Sequence, residues 1–291
     1  MWTHLQIELY KIFRRPRTYL AFAAITALIA VIQIGLLVDG KEYTDFVMAD
    51  FAGSFTVDGK ILNGYFICYV ILQLLLVHVP LLIALIAADL ISGEANMGTL
   101  RLLLTRPQSR TAIVMAKFLA AVIYTLLLLV WIAILGLLVS MWVFGTDDLF
   151  LMKSSYVVIV KESDVFWRYA GAFCFAALAM VTVAALGFLL SFFAENSIGP
   201  IVATMSVIIV ATILSTMNIP IFNTIKPFLF TTHMITWKEF FDFKVNDANE
   251  AIIGSIQNPD KIIRSALVLI IHIVAFISAA VLVFRKKDIL S

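Results

Sequence analysis

Long apolar runs separated by short polar stretches dominate this sequence. A helix needs about 20 apolar residues to cross a hydrocarbon layer roughly 30 Å thick. Six runs are long enough, and they cover approximately residues 18–38, 65–91, 112–144, 168–194, 197–217 and 262–284. The pattern therefore predicts an all-α polytopic membrane protein with six transmembrane helices, in which residues 1–291 form a single transmembrane domain.

The connection between the fourth and fifth runs is very short. Only Glu195 and Asn196 separate the two apolar segments, which predicts a tight helical hairpin. Ser197 follows directly and is of a residue type that caps helix N-termini, so we expect it to cap the fifth span.

The segment before the first run has a helical rather than a uniform apolar pattern. Its large apolar residues fall on one stripe of a helix over residues 2–15, and its charged residues fall elsewhere; the stripe contains Trp2, Leu5, Leu9, Ile12 and Phe13. This arrangement predicts an amphipathic N-terminal helix at the membrane interface, in contact with lipid. A basic flank that only sets the orientation of the first span is the simpler alternative.

The connections on the opposite side are longer and partly apolar. Residues 156–160 form a short apolar run that is compatible with a strand or with buried coil. Residues 226–243 are rich in aromatic side chains with scattered charges. Amphipathic aromatic rings are favoured at membrane interfaces, so the sequence predicts outer-leaflet helices between spans five and six.

Composition and charge agree with this pattern and orient it. Apolar residues make up 62% of the chain and charged residues 14%. In soluble domains apolar residues make up about 45–50% and charged residues roughly 25%. If the N-terminus lies inside, the segments on the inner side carry eleven basic and five acidic residues, a net charge of +6. The segments on the outer side carry the remaining ten basic and fourteen acidic residues, a net charge of −4. Lys and Arg accumulate on the cytoplasmic side, which predicts a multi-pass protein of the cell membrane, the inner membrane of a bacterium, with both termini cytoplasmic.

The sequence shows no grouping typical of an enzyme or a metal site. Cys68 and Cys174 lie in apolar runs and suggest neither a disulfide framework nor a metal site. His78 and His272 are the histidines within spans, and neither begins a spacing such as H-E-x-x-H. We expect no catalytic residues and no metal, and we expect each of these histidines to be a hydrogen-bonded packing residue.

One short stretch imitates an ATP-binding motif. Residues 35–41 match G-x-x-x-x-G-K, but Glu42 occupies the position of the Ser or Thr that would hold magnesium. The stretch also lies at the end of a predicted span rather than between a strand and a helix. We therefore expect no ATP site in this chain.

Residues 92–117, SGEANMGTLRLLLTRPQSRTAIVMAK, interrupt the apolar pattern between spans two and three. Ser92-Gly93 is predicted to end the second span, and Glu94 falls in the first turn of a new helix, where a carboxylate suits the helix dipole. Pro107 should end this helix, and Ser109 should cap the third span. Between them, four apolar residues share one helical face: Met97, Leu100, Leu103 and Leu104. The sequence therefore predicts a short cytoplasmic helix with an apolar face for another protein.

A plain re-entry loop is the alternative for this stretch. Its leucines would lie on lipid, and its arginines would follow the usual excess of positive charge on the inner side. This alternative accounts for the charges, but it does not require a helix with defined ends.

The motif residues resemble those of ABC-2 type transporter permeases. Residues 89–100 follow a pattern similar to D-x-I-S-G-E-x-x-x-G-T-L in that family, and the paired leucines, Pro107, Ser109-Arg110 and Lys117 extend it. The six-span layout with an interfacial N-terminal helix is also similar. One departure is Ala95-Asn96-Met97, where many members carry charged residues, which leaves fewer charges for a partner contact.

The resemblance implies a permease subunit of an ABC transporter, with export as the expected direction. It would pair with a second permease copy or a homologue and with two cytoplasmic ATPase subunits, which would hold ATP and magnesium while this chain binds no cofactor. The first cytoplasmic loop would be the ATPase-coupling element, formed by Asp89, Glu94, Met97, Gly98, Thr99, Leu100, Arg101, Leu103, Leu104, Arg106 and Pro107. No nucleic acid is expected as a partner.

Two other functions stay open at this point. One is a non-transporting membrane subunit that passes ATPase motion to an external partner, and the other is a membrane enzyme with its site among the outer aromatic helices. The substrate is not identified by the polar groups within the spans, which are Gln33, Gln73, His78, Thr182, Thr204, Thr212 and His272. An apolar or amphipathic cargo fits such a lining better than a small ion.

Overall fold

The computed structural model describes residues 2–48, 60–99, 109–152, 157–217, 219–246 and 251–286. The chain starts with the short helix α1 (Trp2–Phe13). The other helices are α2 (Pro16–Val38), α3 (Gly40–Met48), α4 (Gly64–Ala87), α5 (Asp89–Asn96), α6 (Arg110–Phe144), α7 (Glu162–Phe193), α8 (Ile198–Thr216), α9 (Phe230–Met234) and α10 (Pro259–Lys286).

Six of these helices are long and apolar enough to cross a membrane, namely α2, α4, α6, α7, α8 and α10. Each corresponds to one predicted span, so the predicted all-α polytopic membrane fold is confirmed. The boundaries differ by more than three residues in two places, because α4 ends at Ala87 rather than at residue 91, and α7 begins at Glu162 rather than at residue 168. Within α6, Ile134–Val139 form a π-helical segment.

The connections contain more structure than the apolar pattern alone predicts. Strands β1 (Leu149–Met152) and β2 (Val157–Val160) form an antiparallel hairpin in which Leu149 lies opposite Val160. The run at 156–160 is therefore a strand from Val157 onward. Between α8 and α10, α9 is accompanied by the 3₁₀ segments Pro220–Thr224, Lys226–Phe228 and Ile235–Phe241. Short helices were predicted here, but their largely 3₁₀ form was not.

Helix α7 lies at the centre of the bundle. In its most apolar window 56% of the residues are buried, compared with 22% in α8 and in α10. Small residues allow neighbours to come close. A Cβ atom built on Gly171 would lie 2.5 Å from the ring of Phe240, and one on Gly187 would lie 3.5 Å from the backbone nitrogen of Ala88. The small residues at these positions thus allow close packing within this chain.

One end of the bundle, called here the α1 end, collects the elements around the predicted coupling segment. Helix α1 packs against α6, and α5 packs against the last turn of α7 and against α8. Ala88 keeps a helical backbone with φ −72° and ψ −15° between α4 and α5. The predicted site therefore begins inside the packed bundle and leaves it only near Asn96.

Candidate functional site

The predicted coupling residues are only partly described by the structure. Asp89, Glu94, Met97, Gly98 and Thr99 lie within the described ranges. The remaining predicted residues lie outside the described residues: Leu100, Arg101, Leu103, Leu104, Arg106 and Pro107. The site is therefore built from α5 and its surroundings.

Helix α5 begins earlier than predicted. The predicted break at Ser92-Gly93 is wrong, because both residues are buried inside α5 and the change of helix occurs at Ala88. The hydroxyl of Ser92 donates a hydrogen bond to the carbonyl of Ala88 over 2.7 Å, which satisfies a carbonyl at the junction. Asp89, not Glu94, occupies the first turn and interacts favourably with the helix dipole.

The end of α5 corrects a second prediction. Gly98 has φ +70°, a left-handed conformation that favours glycine and commonly ends a helix. Met97 is the C-terminal cap residue of α5 and is 55% exposed. The turn at Gly98 therefore separates Met97 from the leucines with which it was predicted to share one continuous helical face. At the start of α6 the prediction is confirmed, because the hydroxyl of Ser109 accepts a hydrogen bond from the Ala112 backbone nitrogen over 3.2 Å.

A closed network of four charged side chains holds the end of α5. The ammonium nitrogen of Lys117 lies 2.8 Å from a carboxylate oxygen of Glu8 and 2.8 Å from one of Glu94. Lys11 contacts the same two carboxylates at 2.9 Å and 2.8 Å. We call this group, formed by Glu8, Lys11, Glu94 and Lys117, the four-residue network. It joins α1, α5 and α6 through two positive and two negative charges.

The burial of the four-residue network makes its charge balance important. Lys117 is 1% exposed, Glu94 4% and Glu8 6%, and removing charges from water costs several kcal/mol per ion unless they are paired. Burial by itself raises the pKa of the Glu94 carboxyl, but Lys117 and Lys11 outweigh it and hold that pKa below its usual value. Burial lowers the pKa of Lys11, but the hydrogen bonds that its ammonium donates to Glu94 and Glu8 raise that pKa overall. Because the carboxyl pKa is lowered and the ammonium pKa is raised, both groups are charged at neutral pH.

A second group of charges holds the start of α5. Asp89 is 2% exposed, and its carboxylate lies 2.5 Å from Arg15 and 2.8 Å from Arg17. The hydroxyl of Ser197 also donates a hydrogen bond to this carboxylate. The predicted capping role of Ser197 is wrong, because its side chain makes no capping bond to α8. Instead it ties the turn between α7 and α8 to α5.

Gly93 lies directly against the Asp89 carboxylate. A Cβ atom at this position would lie 2.5 Å from an oxygen of that carboxylate and 2.8 Å from its carbon. We expect Gly93→Ala to displace Asp89 and to destabilise the protein by about 1–3 kcal/mol, the usual cost of overpacking. Thermal unfolding of the detergent-solubilised protein measures this, with Gly35→Ala as control because a Cβ on Gly35 meets nothing within 4 Å. Equal melting temperatures for the two variants would contradict the predicted clash.

Several residues of this site were not recognised as a group in the sequence. The sequence pattern places Lys117 only within the motif and Glu8 among the charged residues outside the apolar stripe of α1, but both are buried. A signal for Glu8 was present, because Leu5 and Ile12 flank it at spacings of three and four residues and therefore share its helical face. No comparable local signal pairs Arg15 and Arg17 with Asp89.

The ion pairs of this site attach α5 to the elements around it. The carboxylates of Glu8, Asp89 and Glu94 are all engaged by cations. In the part of the chain that the structure describes, no group of three or more His, Cys, Asp or Glu side chains could hold a metal ion. Displacement of α5 would therefore be passed directly to α1, to α2, to α6 and to the α7–α8 turn.

Comparison with known proteins connects this chain to a family that has been defined without a function. Residues 18–290 match the model of the family described as "Protein of unknown function (DUF2705)". A curated relative, "Uncharacterized protein YhcI" from Bacillus subtilis (strain 168), is 26% identical over 212 residues, which are 70% of this chain and 63% of the relative. The alignment thus spans less than two thirds of that relative. Because the family model covers the chain from the first spanning helix to the C-terminal residues, this protein belongs to the DUF2705 family.

Proposed function

We propose that this chain is the permease subunit of an ABC-2 type transporter, which moves an apolar or amphipathic substrate across the membrane with ATP hydrolysed by a separate subunit. The proposal includes a second permease chain and cytoplasmic ATPase subunits as partners. It rests on the similarity of residues 89–100 to the ABC-2 motif together with the way in which the structure holds the described part of that motif.

The observation that supports it most strongly is the rigid attachment of α5. Asp89 at its start and Glu94 near its end are both buried and paired with cations from other elements. A loop that only re-enters the membrane needs no buried anchors, and each buried charge would be costly without its partner. A coupling element does need them, because a loosely held segment would absorb a push from an ATPase.

The same reasoning explains why two groups of ion pairs are useful. One attaches α5 to α1 and α6, and the other attaches it to the start of α2 and to the α7–α8 turn. Movement applied after Asn96 would then reach five of the long helices, α2, α4, α6, α7 and α8. ATP binding by a partner would shift the permease between two states through differential contacts with this segment.

The proposed orientation places the α1 end in the cytoplasm. The excess of Lys and Arg on that side supports this, and an ATPase that docks on the segment after α5 requires it. Both termini would then be cytoplasmic, in the cell membrane of a bacterium.

The docking surface is tested with Leu100→Ser/Leu104→Ser. Burial of each leucine at an interface is worth up to about 1.5–3 kcal/mol, so loss of both could weaken ATPase binding by a factor on the order of a hundred. We expect an ABC ATPase to co-purify with the wild-type protein from native membranes, and to be largely lost from the double variant at matched membrane expression.

Two further variants complete this test. Ile159→Ser changes an exposed apolar residue on β2 and should leave ATPase recovery unchanged. Glu94→Gln removes a charge but changes the contact area little. The complex should therefore stay assembled, while transport-linked ATP hydrolysis falls. Equal ATPase recovery from the wild type and the double leucine variant would refute docking on this segment. Absence of substrate flux in proteoliposomes, despite a bound and active ATPase, would favour the non-transporting subunit instead.

A further inference from the structure

An ionisable side chain lies on the outward face of α4 near the middle of the membrane. His78 is nine residues before the end of the helix at Ala87, which corresponds to about 14 Å along the helix axis. This distance is close to half of a hydrocarbon layer roughly 30 Å thick. The side chain is exposed, and within the described residues its ring makes one hydrogen bond, in which Nδ1 donates to the Leu74 carbonyl over 2.9 Å. The other ring nitrogen, Nε2, is then an acceptor directed away from that bond.

His78 belongs to an exposed stripe on α4. The other residues of this stripe are apolar, as is usual for a surface that faces lipid. Leu74, Val77 and Leu81 are 52%, 60% and 41% exposed, and they lie at helical spacings from His78 that place all four residues on one face. We call these residues, Leu74, Val77, His78 and Leu81, the α4 stripe. It faces away from the core of this chain.

Helix α10 provides an instructive contrast. Its exposed face contains Ile263, Leu267, Ile271 and Val274 at 55–64% exposure, together with Arg264 near its start and Ser278, but no exposed histidine. The neighbouring His272 is instead partly buried between the rings of Phe230 and Phe276, at centroid distances of 5.9 Å and 5.7 Å. The prediction of a packing role is confirmed for His272. For His78 the predicted hydrogen bond is present, but the packing role is wrong, because its side chain stays exposed among the described residues.

The other polar side chains predicted within the spans are buried or partly buried. Gln33 donates hydrogen bonds to the Leu135 carbonyl and to Ser140, both over 2.9 Å. Thr182 and Thr204 are fully buried and donate hydrogen bonds to carbonyls of their own helices. Gln73, Thr212 and His272 are partly buried. Of the seven predicted groups, His78 alone is exposed.

Exposure of an imidazole to lipid tails is energetically unfavourable. A polar group without a hydrogen-bond partner costs several kcal/mol in a hydrocarbon environment, and ionisable residues within spans almost always face protein or a water-filled cavity. We infer that the α4 stripe is covered by a second copy of this chain, so that His78 lies at the interface between two permease subunits. This inference rests on the pairing of permease chains in the proposed function.

A second copy is the occupant that the surface itself favours. A two-fold interface requires a surface that is complementary to itself. Helix α8 packs beside α4, and Ser206 at the middle of α8 is also exposed. The hydroxyl of Ser206 can donate the hydrogen bond that His78 Nε2 can accept. The two packed helices therefore each present an exposed polar side chain, an acceptor on α4 and a donor on α8, and two identical chains can exchange such a hydrogen bond.

Cysteine cross-linking tests this interface. In a background with Cys68→Ala and Cys174→Ala, single cysteines replace Val77 or Leu81 on the α4 stripe and Leu267 or Ile271 on α10. The native membranes are treated with a short, membrane-permeant bis-thiol reagent. We expect covalent dimers of this chain from both α4 positions and little or none from the α10 positions, which match them in exposure.

A substitution of the histidine itself provides a second measurement. Relative to the parent single-cysteine chain, adding His78→Leu should reduce dimer recovery from the Val77 cysteine, whereas His78→Asn should retain most of it because an amide can also accept a hydrogen bond. His272→Leu is the matched control and should leave dimer recovery unchanged. If His78 faced lipid, His78→Leu would instead leave the yield of cross-linked dimer unchanged or stabilise the folded chain.

Three outcomes would overturn the inference: no cross-linking from the α4 stripe, equal cross-linking from α10, or a cross-linked product that contains a different protein. Recovery of an ABC ATPase is measured on the same membranes and separates the two proposals. ATPase recovery without α4 cross-links would refute this interface and leave the proposed function standing. Cross-links without any ATPase would support the interface and refute the proposed function.

Discussion

Lys117→Met should lower the free energy of unfolding by about 3–5 kcal/mol, the usual cost of breaking a buried ion pair by removal of one partner. Met keeps most of the volume of the side chain, so the change isolates the charge. Lys117 is shared by Glu8 and Glu94 and is 1% exposed. Its loss leaves two buried carboxylates with only Lys11, and hence a buried negative charge. Chemical denaturation of the purified protein in mild detergent measures the effect.

A double variant distinguishes loss of charge balance from simple loss of packing. Lys117→Met combined with Glu94→Gln leaves Glu8 paired with Lys11 at 2.9 Å and restores neutrality. We therefore expect the double variant to be more stable than the sum of the two single changes predicts, as is usual for residues in one network. Lys161→Met removes an exposed ion pair with Asp148 and should hardly change stability. Simple additivity of the two single changes would contradict a coupled network.

Arg168→Met should destabilise the opposite end of the bundle by a similar amount, about 3–5 kcal/mol. Arg168 is fully buried at 0% exposure and contacts Asp164 over 2.6 Å. It also donates hydrogen bonds to the carbonyls of Phe240 and Ser255 over 2.6 Å and 2.7 Å. Its removal would leave a buried carboxylate without its cation and two carbonyls without this donor.

The expected consequence is local as well as global. Because Arg168 connects α7 to both sides of the segment between residues 240 and 255, its loss should expose this segment to protease before the spanning helices unfold. Limited proteolysis with trypsin, followed by mass spectrometry, measures the rate of cleavage after Lys244. Lys261→Met, which removes an exposed partner of Glu239, is the control. An unchanged cleavage rate in Arg168→Met would show that Arg168 does not hold this segment in place.

The spanning helices could be predicted because their signal is local and strong. A helix that crosses hydrocarbon must satisfy its backbone internally and expose apolar side chains along its whole length, so a run of about 20 apolar residues identifies it. The ends were less certain. The sequence signals a helix break only at Ser92-Gly93, but the change of helix lies at Ala88, where Asp89–Glu94 are held in place by other elements.

The candidate site could be located from the sequence, but its chemistry could not. The motif pointed to Asp89 and Glu94, yet the ion pairs that hold them connect residues far apart in the chain. Arg15 and Asp89 are separated by 74 positions, Lys11 and Glu94 by 83, and Glu8 and Lys117 by 109. No periodicity within one helix can report such a pair.

The two mid-span histidines also show what the sequence could and could not predict. By sequence, His78 and His272 are equivalent, since each lies in an apolar run and each can bond to the carbonyl one turn earlier. The sequence by itself determined the number of spans and their approximate limits, because those features depend on neighbouring residues. Only the tertiary structure decided which charges are paired and which histidine faces outward, because both depend on which helices become neighbours.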